Sequence, residues 1–440
     1  MVSIGQLDKV NDLNFYDQQE TRSPAEREAD LMAALPAQIA NAQSNSSAFA
    51  SILKGIEPSQ INTRMALAAL PVTRKHELLE LQEAARATRQ SQSTVFGGFN
   101  TQPFGAAMPR VFASPGPIYE PEGMRADYWR MARAIYAAGF RSGELIHNCF
   151  SYHFTPAGSM METGAHALGC TVFAGGTGQT EQQVQAMQHL QPSGYIGTPS
   201  FLKIILDKAA ELGQALPTSL TKALVSGEAF PPSLRDWLLA QGVAGYQCYA
   251  TADIGLIAYE TEAREGLVLD EGVILEIVRP GTGDPVPEGE VGEVVVTSLN
   301  PDYPLIRFGT GDLSAVLAGC CPTGRTNTRI KGWMGRADQT TKMRGMFVHP
   351  GQVDSVAKRF SEIKRARLIV SGEMANDQML LKVEVTGVHS DVRSDALDNL
   401  AQRIGISVRE VTKLRVDVEL CAVGSLPNDG KVIEDARSYQ

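Results

Sequence analysis

The sequence lacks any pattern of paired cysteines. Its six cysteines are scattered along 440 residues without the two-residue spacing of a C-x-x-C motif, which argues against a structural zinc site and a disulfide framework. It also lacks a signal-peptide pattern and any apolar run near the roughly 20 residues that a membrane helix needs. Basic residues are not in excess, since 40 lysines and arginines face 49 acidic residues, for a net charge of −9. These features predict a cytoplasmic protein whose partners are small molecules, with no nucleic acid and no membrane among them.

A second absence concerns phosphate-binding loops. The chain has no Walker A sequence, because "GGTGQT" at 175–180 lacks a lysine and Gly430-Lys431 is followed by valine rather than serine or threonine. A GTPase-like function is therefore not predicted. The stretch "RVFASPGPIYEPEG" at 110–123 has no lysine either, and its tip places Ser114 and Gly116 beside two prolines, which lack backbone N–H donors. A loop of this composition has few groups with which to hold phosphate.

The order of helical and extended patterns predicts an α/β fold. Apolar residues recur at helical spacing over residues 25–93, which predicts a helical lead-in at about 1–100. Helical and extended segments then alternate from about 125 to 300, as expected of a layered sheet. Strands separated by Gly/Pro/Asp turns predict a β subdomain at about 267–330.

The pattern begins again near residue 338, with a helix at "PGQVDSVAKRFSEI" and strands at "RARLIVSG" and "QMLLKVEVTG". Independent patterning of this kind indicates a domain boundary. The sequence therefore predicts a large N-terminal domain at 1–337, built of layered sheets and helices, and a small α+β C-terminal domain at 338–440.

Six stretches of the chain occur in an order that matches one known family. They are "LAALPVTRKHELLELQ", "SGEAFPPSLR", "CYATADIGLIAYE", "EGEVGEVVVTSLNPDYPLIRFGTGDL", "GRADQTTKMRGMFVHPGQ" and "LPNDGK". In this order they resemble the successive motifs of the AMP-forming adenylating enzymes, in particular the phenylacetate-CoA ligases, over nearly the whole chain. One such motif alone would occur by chance, whereas six in order are hard to obtain accidentally.

The resemblance implies a two-step reaction. ATP converts a carboxylic acid into an acyl-adenylate, and a thiol then displaces AMP, so ATP, Mg²⁺ and CoA are the implied cofactors. Charge that accumulates around the α-phosphorus must be met by positive groups placed there in advance. Lys431, in "SLPNDGKV", matches the family's C-terminal lysine, which bridges carboxylate and phosphate oxygens. Asp338 matches the hinge about which the mobile C-terminal domain rotates between the two steps.

Further matches imply the nucleotide site. Asp312, in "RFGTGDL", falls where the family uses an aspartate to accept hydrogen bonds from both ribose hydroxyls. Arg336, in "GRAD", resembles the arginine that reaches the nucleotide, and Tyr249 stands in the place of the aromatic ring that stacks on adenine. The other implied nucleotide contacts are Ala250, Thr251, Gly227, Glu228 and Ser114.

Two positions depart from the family pattern. Asp253 stands where the family usually has glutamate as a magnesium ligand, and its shorter side chain favours a water-mediated contact. The loop at Ser114 stands where the family usually has a Ser/Thr/Gly-rich loop ending in lysine. Two interpretations of this loop stay open: a pre-set turn that still places a few N–H groups and Ser114 against phosphate, or a loop that has ceased to bind phosphate.

The acid pocket is predicted from the segment 147–170, which is dense in aromatic, small and methionine residues. In the family the corresponding helix and loop form a wall of the acyl pocket, and this composition suits an aromatic acid. For each position alone, core packing is the simpler explanation. The candidates are Tyr152, His153, Phe154, Gly158, Tyr195, Thr198 and Pro199.

Three functions stay open at this point. The favoured one is an acid:CoA ligase of aromatic acid catabolism, which acts on an aryl or arylacetic acid and releases AMP and pyrophosphate. The second is an adenylating enzyme with an acceptor other than CoA. The third is a non-catalytic nucleotide- or acyl-binding homologue, against which the joint presence of Asp312, Arg336 and Lys431 argues. Association as a homodimer is also left open.

Overall fold

The computed structural model describes residues 14–88, 92–215, 217–337, 339, 341–343, 346–348, 350–372, 377–386, 395–427 and 431–437. The helices there are α1 (Pro24–Asn45), α2 (Ser47–Ile52), α3 (Arg64–Ala68), α4 (Lys75–Thr88), α5 (Ala132–Ala137), α6 (Ala157–Leu168), α7 (Thr180–Leu190), α8 (Pro199–Glu211), α9 (Pro232–Ala240), α10 (Pro350–Ala357) and α11 (Asp395–Thr412), with short 3-10 helices at Gln18–Thr21, Pro58–Gln60 and Gln92–Phe96.

Among the residues that the structure describes, the strands belong to five sheets. In chain order they are β1 (Thr73–Arg74), β2 (Arg110–Ser114), β3 (Ile118–Glu122), β4 (Leu145–Asn148), β5 (Thr171–Ala174), β6 (Gly194–Gly197), β7 (Lys222–Val225), β8 (Ala244–Thr251), β9 (Gly255–Glu260), β10 (Leu267–Leu269), β11 (Val273–Val278), β12 (Gly292–Ser298), β13 (Phe308–Ser314), β14 (Val316–Leu317), β15 (Arg329–Ile330), β16 (Thr341–Met343), β17 (Met346–Val348), β18 (Ile363–Ser371), β19 (Gln378–Val385), β20 (Asp417–Ala422) and β21 (Ile433–Asp435).

The helical lead-in packs onto the first core. α1 starts at a capping box, in which the Ser23 hydroxyl accepts from the Glu26 N–H and the Glu26 carboxylate accepts from the Ser23 N–H. Its apolar residues at helical spacing, among them Leu35 and Ile39, are fully buried. They pack in one cluster with residues of β11, β12 and β13, such as Ile274. The predicted helices before residue 100 are therefore part of the main body.

A nine-stranded sheet forms the centre, in the order β14-β15-β10-β9-β8-β7-β6-β4-β5. From β5 to β8 neighbouring strands are parallel, and from β8 onward they are antiparallel. Parallel neighbours require long crossover connections, and α6 to α9 supply them here. The predicted layered α/β fold is confirmed.

The strands between 267 and 330 are divided between two sheets. β11, β12 and β13 form a four-stranded sheet together with β1, in the order β1-β13-β12-β11. β10, β14 and β15 instead extend the nine-stranded sheet. The region is rich in strands as predicted, but it is shared by two sheets rather than closed on itself. β1, from the lead-in, runs parallel to β13 at the edge of the smaller sheet.

The C-terminal part has its own core. Its four-stranded sheet has the order β20-β19-β18-β21, beside the hairpin β16-β17, and it contains only strands that follow residue 340. Apolar residues of this sheet and of α10 and α11 pack in one cluster. The fold thus has a large N-terminal part and a small C-terminal part. The boundary at 338 stays a prediction, because Asp338 lies outside the described residues.

Across the part of the chain that the structure describes, no helix combines the length and apolar character needed to cross a bilayer.

Candidate active site

The carboxyl ends of four neighbouring parallel strands gather many of the predicted site residues. β4, β6, β7 and β8 lie side by side and run in one direction. Chain segments that leave their C-terminal ends therefore meet at one edge of the sheet, where open α/β sheets bind their ligands. Tyr152, His153 and Phe154 follow β4, Thr198 and Pro199 follow β6, Gly227 and Glu228 follow β7, and Tyr249, Ala250 and Thr251 form the end of β8.

Asp312 stands at the centre of a hydrogen-bond network on β13. Its carboxylate accepts from the Tyr249 hydroxyl at 2.8 Å, the Arg336 guanidinium at 3.0 Å and the Trp333 indole N–H at 3.1 Å. Its side chain is only 12% exposed. The structure thus brings together three residues that the sequence analysis assigned to the nucleotide, around a carboxyl group whose two oxygens both accept hydrogen bonds.

Two of the donors to Asp312 also contact Thr310. The Tyr249 hydroxyl reaches Thr310 Oγ1 at 3.2 Å, and Arg336 donates to the Thr310 carbonyl at 3.0 Å. Burial and the neighbouring Asp312 carboxylate raise the pKa of Tyr249 well above its ordinary value, so this phenol stays protonated and donates. The register of β8 against β9 shifts between Tyr249 and Ala250, an irregularity of the kind that re-aims side chains near active sites. Whether the Tyr249 ring stacks on adenine stays a prediction.

The proline loop is the tip of the hairpin β2-β3, with Ser114 paired to Ile118 across it. Ser114 is 5% exposed, and its hydroxyl and backbone N–H both donate to the Glu120 carboxyl group, at 2.5 and 3.2 Å. Burial, followed by the nearby Asp253 carboxylate, raises the pKa of Glu120 to about 8. In this structure the Ser114 hydroxyl therefore has an internal partner, and its role at a phosphate stays a prediction.

Asp253 is paired with a lysine that the sequence analysis did not assign. Its Oδ2 accepts from Lys75 Nζ at 2.8 Å, while its Oδ1 is buried and has no hydrogen-bond partner among the residues described. A buried carboxylate oxygen left open in this way suits Mg²⁺, which prefers one or two carboxylates and keeps several waters. Within the described ranges no group of three or more metal-binding side chains occurs. The donor set thus fits a magnesium ion held by Asp253 together with substrate oxygens.

The aromatic candidates after β4 differ in what they contact. The Tyr152 hydroxyl donates to Glu162 at 2.8 Å and accepts from Asn148 at 2.8 Å, so its ring is fixed. A Cβ at Gly158 would lie 2.7 Å from the Ser151 carbonyl oxygen, and the helix α6 can therefore approach this loop only with glycine there. His153 is exposed, and Phe154 is 81% exposed.

The candidates after β6 are mostly structural in this arrangement. Tyr195 is fully buried and donates to the Thr198 carbonyl at 3.0 Å. It packs in a core cluster, and its assignment to the acyl pocket stays a prediction. Thr198 caps α8 by accepting from the Phe201 N–H at 3.4 Å, and Pro199 opens that helix. These contacts support the core-packing explanation for Tyr195 and leave the pocket role of Thr198 and Pro199 as predictions.

Gly227 and Glu228 form the turn after β7. Gly227 has a φ of +83°, a conformation that favours glycine. Glu228 is exposed and accepts from the Ser200 N–H at 2.7 Å, so the turns after β6 and β7 are joined. Thr251 accepts from the Ile254 N–H at 3.1 Å and shapes the turn that leads to Asp253.

Lys431 belongs to the C-terminal part. Its side chain is exposed, and the following residues Val432 and Ile433 donate their N–H groups to the Gln339 side chain at 2.7 and 3.3 Å. Gln339 is one residue beyond the predicted hinge. This contact ties the lysine-bearing segment to the start of the C-terminal part, while the catalytic role of Lys431 stays a prediction.

Four residues of the site were missed by the sequence analysis. Lys75, Glu120, Thr310 and Trp333 all contact residues that it named. Lys75 lay within a quoted motif, so its position was a usable signal. Glu120 lay within the quoted stretch 110–123, but only the pairing of β2 with β3 places its side chain against Ser114. Trp333 carried no pattern of its own.

A polar cavity of about 230 Å³ lies among residues that none of these assignments includes. Its lining contains the Arg130–Asp270 pair, with a contact of 2.6 Å, and Arg133. Burial raises the pKa of Asp127, which also faces it, to about 7. It shares no lining residue with the cluster around Asp312.

Comparison with known proteins shows which enzymes the chain is similar to. The sequence model of the AMP-binding enzyme family matches residues 125–300, and that of the AMP-binding enzyme C-terminal domain matches residues 345–435. The chain is 31% identical to the phenylacetate-coenzyme A ligase of Thermus thermophilus over 317 residues, 68% of this chain and 71% of that protein. It is 29% identical to the phenylacetate-coenzyme A ligase of Aromatoleum evansii over 347 residues, 76% of this chain and 75% of that protein.

Solved structures show the same fold. The 2-hydroxyisobutyryl-CoA ligase in complex with 2-HIB-AMP and CoA, in the thioesterification state, gives a TM-score of 0.82 at 24% identity over 100% of this chain and 96% of that one. The same ligase in the postadenylation state with R3-HIB-AMP gives 0.71 at 24% identity, over 99% and 95%. The chain therefore superposes better on the first of these two states.

The chain belongs to the AMP-binding enzyme family. Within that family it groups with the phenylacetate-CoA ligase-like proteins, as an acid:CoA ligase of the AMP-forming type.

Proposed function

We propose that this protein activates an aromatic carboxylic acid, of the aryl or arylacetic class, with ATP and transfers the acyl group to CoA. The observation that carries the proposal is the convergence of Asp312, Tyr249 and Arg336 at the carboxyl edge of the sheet, with contacts of 2.8 and 3.0 Å. These are the residues that the family resemblance assigned to the nucleotide. The similarity to phenylacetate-coenzyme A ligases over 317 and 347 residues supports an aromatic substrate.

In the first half-reaction the acid attacks the α-phosphorus and pyrophosphate leaves. Asp312 would accept hydrogen bonds from the ribose hydroxyls, and Arg336, 16% exposed beside it, would face the phosphates of the same nucleotide. Asp253 would hold Mg²⁺, which supplies positive charge at the phosphate oxygens. Lys431 would bridge the carboxylate and the α-phosphate, where a preorganised cation stabilises the charge of the transition state.

In the second half-reaction the CoA thiol attacks the acyl-adenylate carbonyl and AMP leaves. We propose that the C-terminal part rotates near residue 338 between the two steps, so that Lys431 faces the site only during adenylation. The exposure of Lys431 supports this proposal, and so does the contact of the next residue, Val432, with Gln339, because both place the lysine on a surface segment attached to the start of the C-terminal part.

The acid would bind beside the loop that follows β4. Tyr152 is fixed there by Glu162 and Asn148, and Phe154 exposes 81% of its surface. A fixed phenol and an exposed aromatic ring suit the flat apolar face of an aromatic acid. Tyr195 is fully buried, so the proposal places the acid against Tyr152 and Phe154.

The test is a screen of acids for AMP formation by the full chain, with and without CoA. Benzoate, phenylacetate and straight-chain acids of equal carbon number form a matched panel. We expect acid-dependent pyrophosphate exchange without CoA, AMP release that requires CoA, and a kcat/KM for aromatic acids at least about tenfold above that for the matched aliphatic acids, as expected of a pocket worth one or two kcal/mol.

Preference for the straight-chain acids would refute the aromatic substrate. Steady AMP release without CoA would show another acceptor, and the absence of acid-dependent pyrophosphate exchange with every acid would refute the activity itself.

A further inference from the structure

The hairpin tip at residues 115–117 has few groups that could bind the phosphates of ATP. If the protein uses ATP as proposed above, the β- and γ-phosphates need positive charge and N–H donors. The tip has no lysine, Pro115 and Pro117 lack N–H groups, and the Ser114 hydroxyl is bonded to Glu120. The question is which other group near Asp253 and Arg336 carries positive charge.

Lys75 is brought to this place by backbone pairing. β1 runs parallel to β13, with Thr73 opposite Phe308 and Arg74 opposite Gly309, and Lys75 follows as the first residue of α4. The Thr73 N–H donates to the Arg307 carbonyl at 3.0 Å, which fixes the register. On β13, the residue after Gly309 is Thr310, which begins the segment Thr310–Asp312. The position of Lys75 is thus set by the strand that carries Asp312.

The Lys75 ammonium lies among the charges of the site. Its Nζ is 2.8 Å from Asp253 Oδ2, and the side chain is 33% exposed while that of Asp253 is 1% exposed. The Lys75 ammonium is therefore paired with the buried Asp253 carboxylate on one side and partly exposed on the other.

We propose that Lys75 is a phosphate-binding residue, whose ammonium binds the β- and γ-phosphates of ATP, and the pyrophosphate released from it, in place of the lysine that the hairpin tip lacks. An ammonium has three N–H donors, and the contact with Asp253 occupies one of them. Because Lys75 also neutralises Asp253, an incoming polyphosphate does not meet an uncompensated carboxylate. The sequence separation of 178 residues between the two partners explains why no local motif reveals the pair.

A purely structural role for Lys75 predicts a different result. Breaking a buried ion pair destabilises its surroundings, and that would weaken every ligand of the site alike. A phosphate-binding role instead affects only ligands that carry the β- and γ-phosphates or pyrophosphate. AMP, which shares the adenine, the ribose and the α-phosphate with ATP, is the discriminating ligand.

The experiment measures the affinities of ATP, inorganic pyrophosphate and AMP by calorimetry, in the wild type, Lys75→Met and Lys75→Arg, with EDTA present so that Mg²⁺ does not contribute. For Lys75→Met we expect ATP and pyrophosphate to bind about 10-fold to 100-fold more weakly, the range of one or two hydrogen bonds to a charged group. AMP affinity should change by less than about twofold, and Lys75→Arg should keep most of the pyrophosphate affinity, because it keeps the positive charge.

Lys203→Met is the matched control. Lys203 also pairs with an aspartate, at 2.6 Å from Asp207, and is 39% exposed. Its replacement should leave all three affinities unchanged. If Lys75→Met does not fold, Lys75→Met/Asp253→Asn replaces it and is compared with Asp253→Asn alone, since the double variant leaves no unpaired buried charge.

Equal weakening of AMP, ATP and pyrophosphate would overturn the proposal, and so would an unchanged pyrophosphate affinity in Lys75→Met or a wild type that binds no pyrophosphate. These binding results need no acid and no CoA. They therefore remain informative if the acid screen fails, and the two failures can be told apart.

Discussion

Replacing Asp312 by alanine is the most direct test of the nucleotide site. The Asp312 carboxylate accepts from Tyr249, Arg336 and Trp333, so the change removes three contacts within the protein. Two of the donors keep an anchor, since the Tyr249 hydroxyl and the Arg336 guanidinium both also reach Thr310. Trp333 is 43% exposed and can donate to water. We therefore expect the free energy of unfolding to fall by only about 1–2 kcal/mol.

The expected loss of ATP affinity is larger. Two hydrogen bonds from ribose hydroxyls to a carboxylate are worth about 1.5–3 kcal/mol each, so at least about 3 kcal/mol is lost. That corresponds to a dissociation constant for ATP more than about 100-fold higher. The loss of unfolding free energy should therefore be smaller than the loss of binding free energy, because Tyr249 and Arg336 keep their contacts with Thr310.

The assay is a calorimetric titration of wild type and Asp312→Ala with ATP and with 2′,3′-dideoxy-ATP. The wild type should bind the dideoxy analogue far more weakly than ATP, whereas Asp312→Ala should bind both alike, since the acceptor of the hydroxyls is gone. Asp207→Ala, at a surface ion pair, is the control. The assignment of Asp312 would be refuted if the folded variant bound ATP as the wild type does, or still distinguished ATP from its dideoxy analogue.

Three further predictions concern Glu120, Ser114, and the pair Lys431 and Asp338. Burial raises the pKa of Glu120 from its ordinary 4.5 to about 8. The protonated side chain therefore contributes its full stability below about pH 4.5, and this contribution is lost as the pH rises to about 8. The free energy of unfolding of Glu120→Gln, measured with denaturant, should depend less on pH across that window than that of the wild type. Ser114→Ala should raise the KM for ATP less than about threefold and cost about 1 kcal/mol of unfolding free energy, because its hydroxyl serves Glu120; an inactive but folded variant would contradict this. Lys431→Ala should slow adenylation by about 10²–10³ yet convert supplied acyl-adenylate and CoA to acyl-CoA at the wild-type rate. Asp338→Pro should form the acyl-adenylate but fail to form the thioester. Each half-reaction is measured separately in each variant, and domain alternation would be refuted if both half-reactions were slowed by the same factor in each variant.

The sequence predicted well whatever depends on local pattern or on motif order. The helix α10 and the strands β18 and β19 lie where the sequence patterns placed a helix and two strands. Asp312, Tyr249 and Arg336 were named from their motifs, and in the structure they are in contact.

What the sequence did not predict depends on contacts between distant segments. The pairing of β1 with β13 joins residues more than 230 positions apart, and it is this pairing that brings Lys75 to Asp253. Ser114 was assigned to phosphate by its position, yet Glu120, across the hairpin, holds its hydroxyl. Tyr195 was named for its aromatic ring, but nothing in "YIGTPSF" tells that the ring is fully buried. The direction in which a side chain points depends on how the segments pack together, and a single sequence motif does not specify that packing.

The two-residue strand β1 also decides how much of the chain a shortened form must keep. The family match begins at residue 125, which invites trimming of everything before it. Such trimming would remove Thr73 and Arg74, and β13 would become the outer strand of its sheet with unpaired N–H and C=O groups. Open strand edges of this kind recruit other chains and aggregate. The smallest soluble version of this protein should therefore start before the helices of the lead-in, and not at the beginning of the recognised family segment.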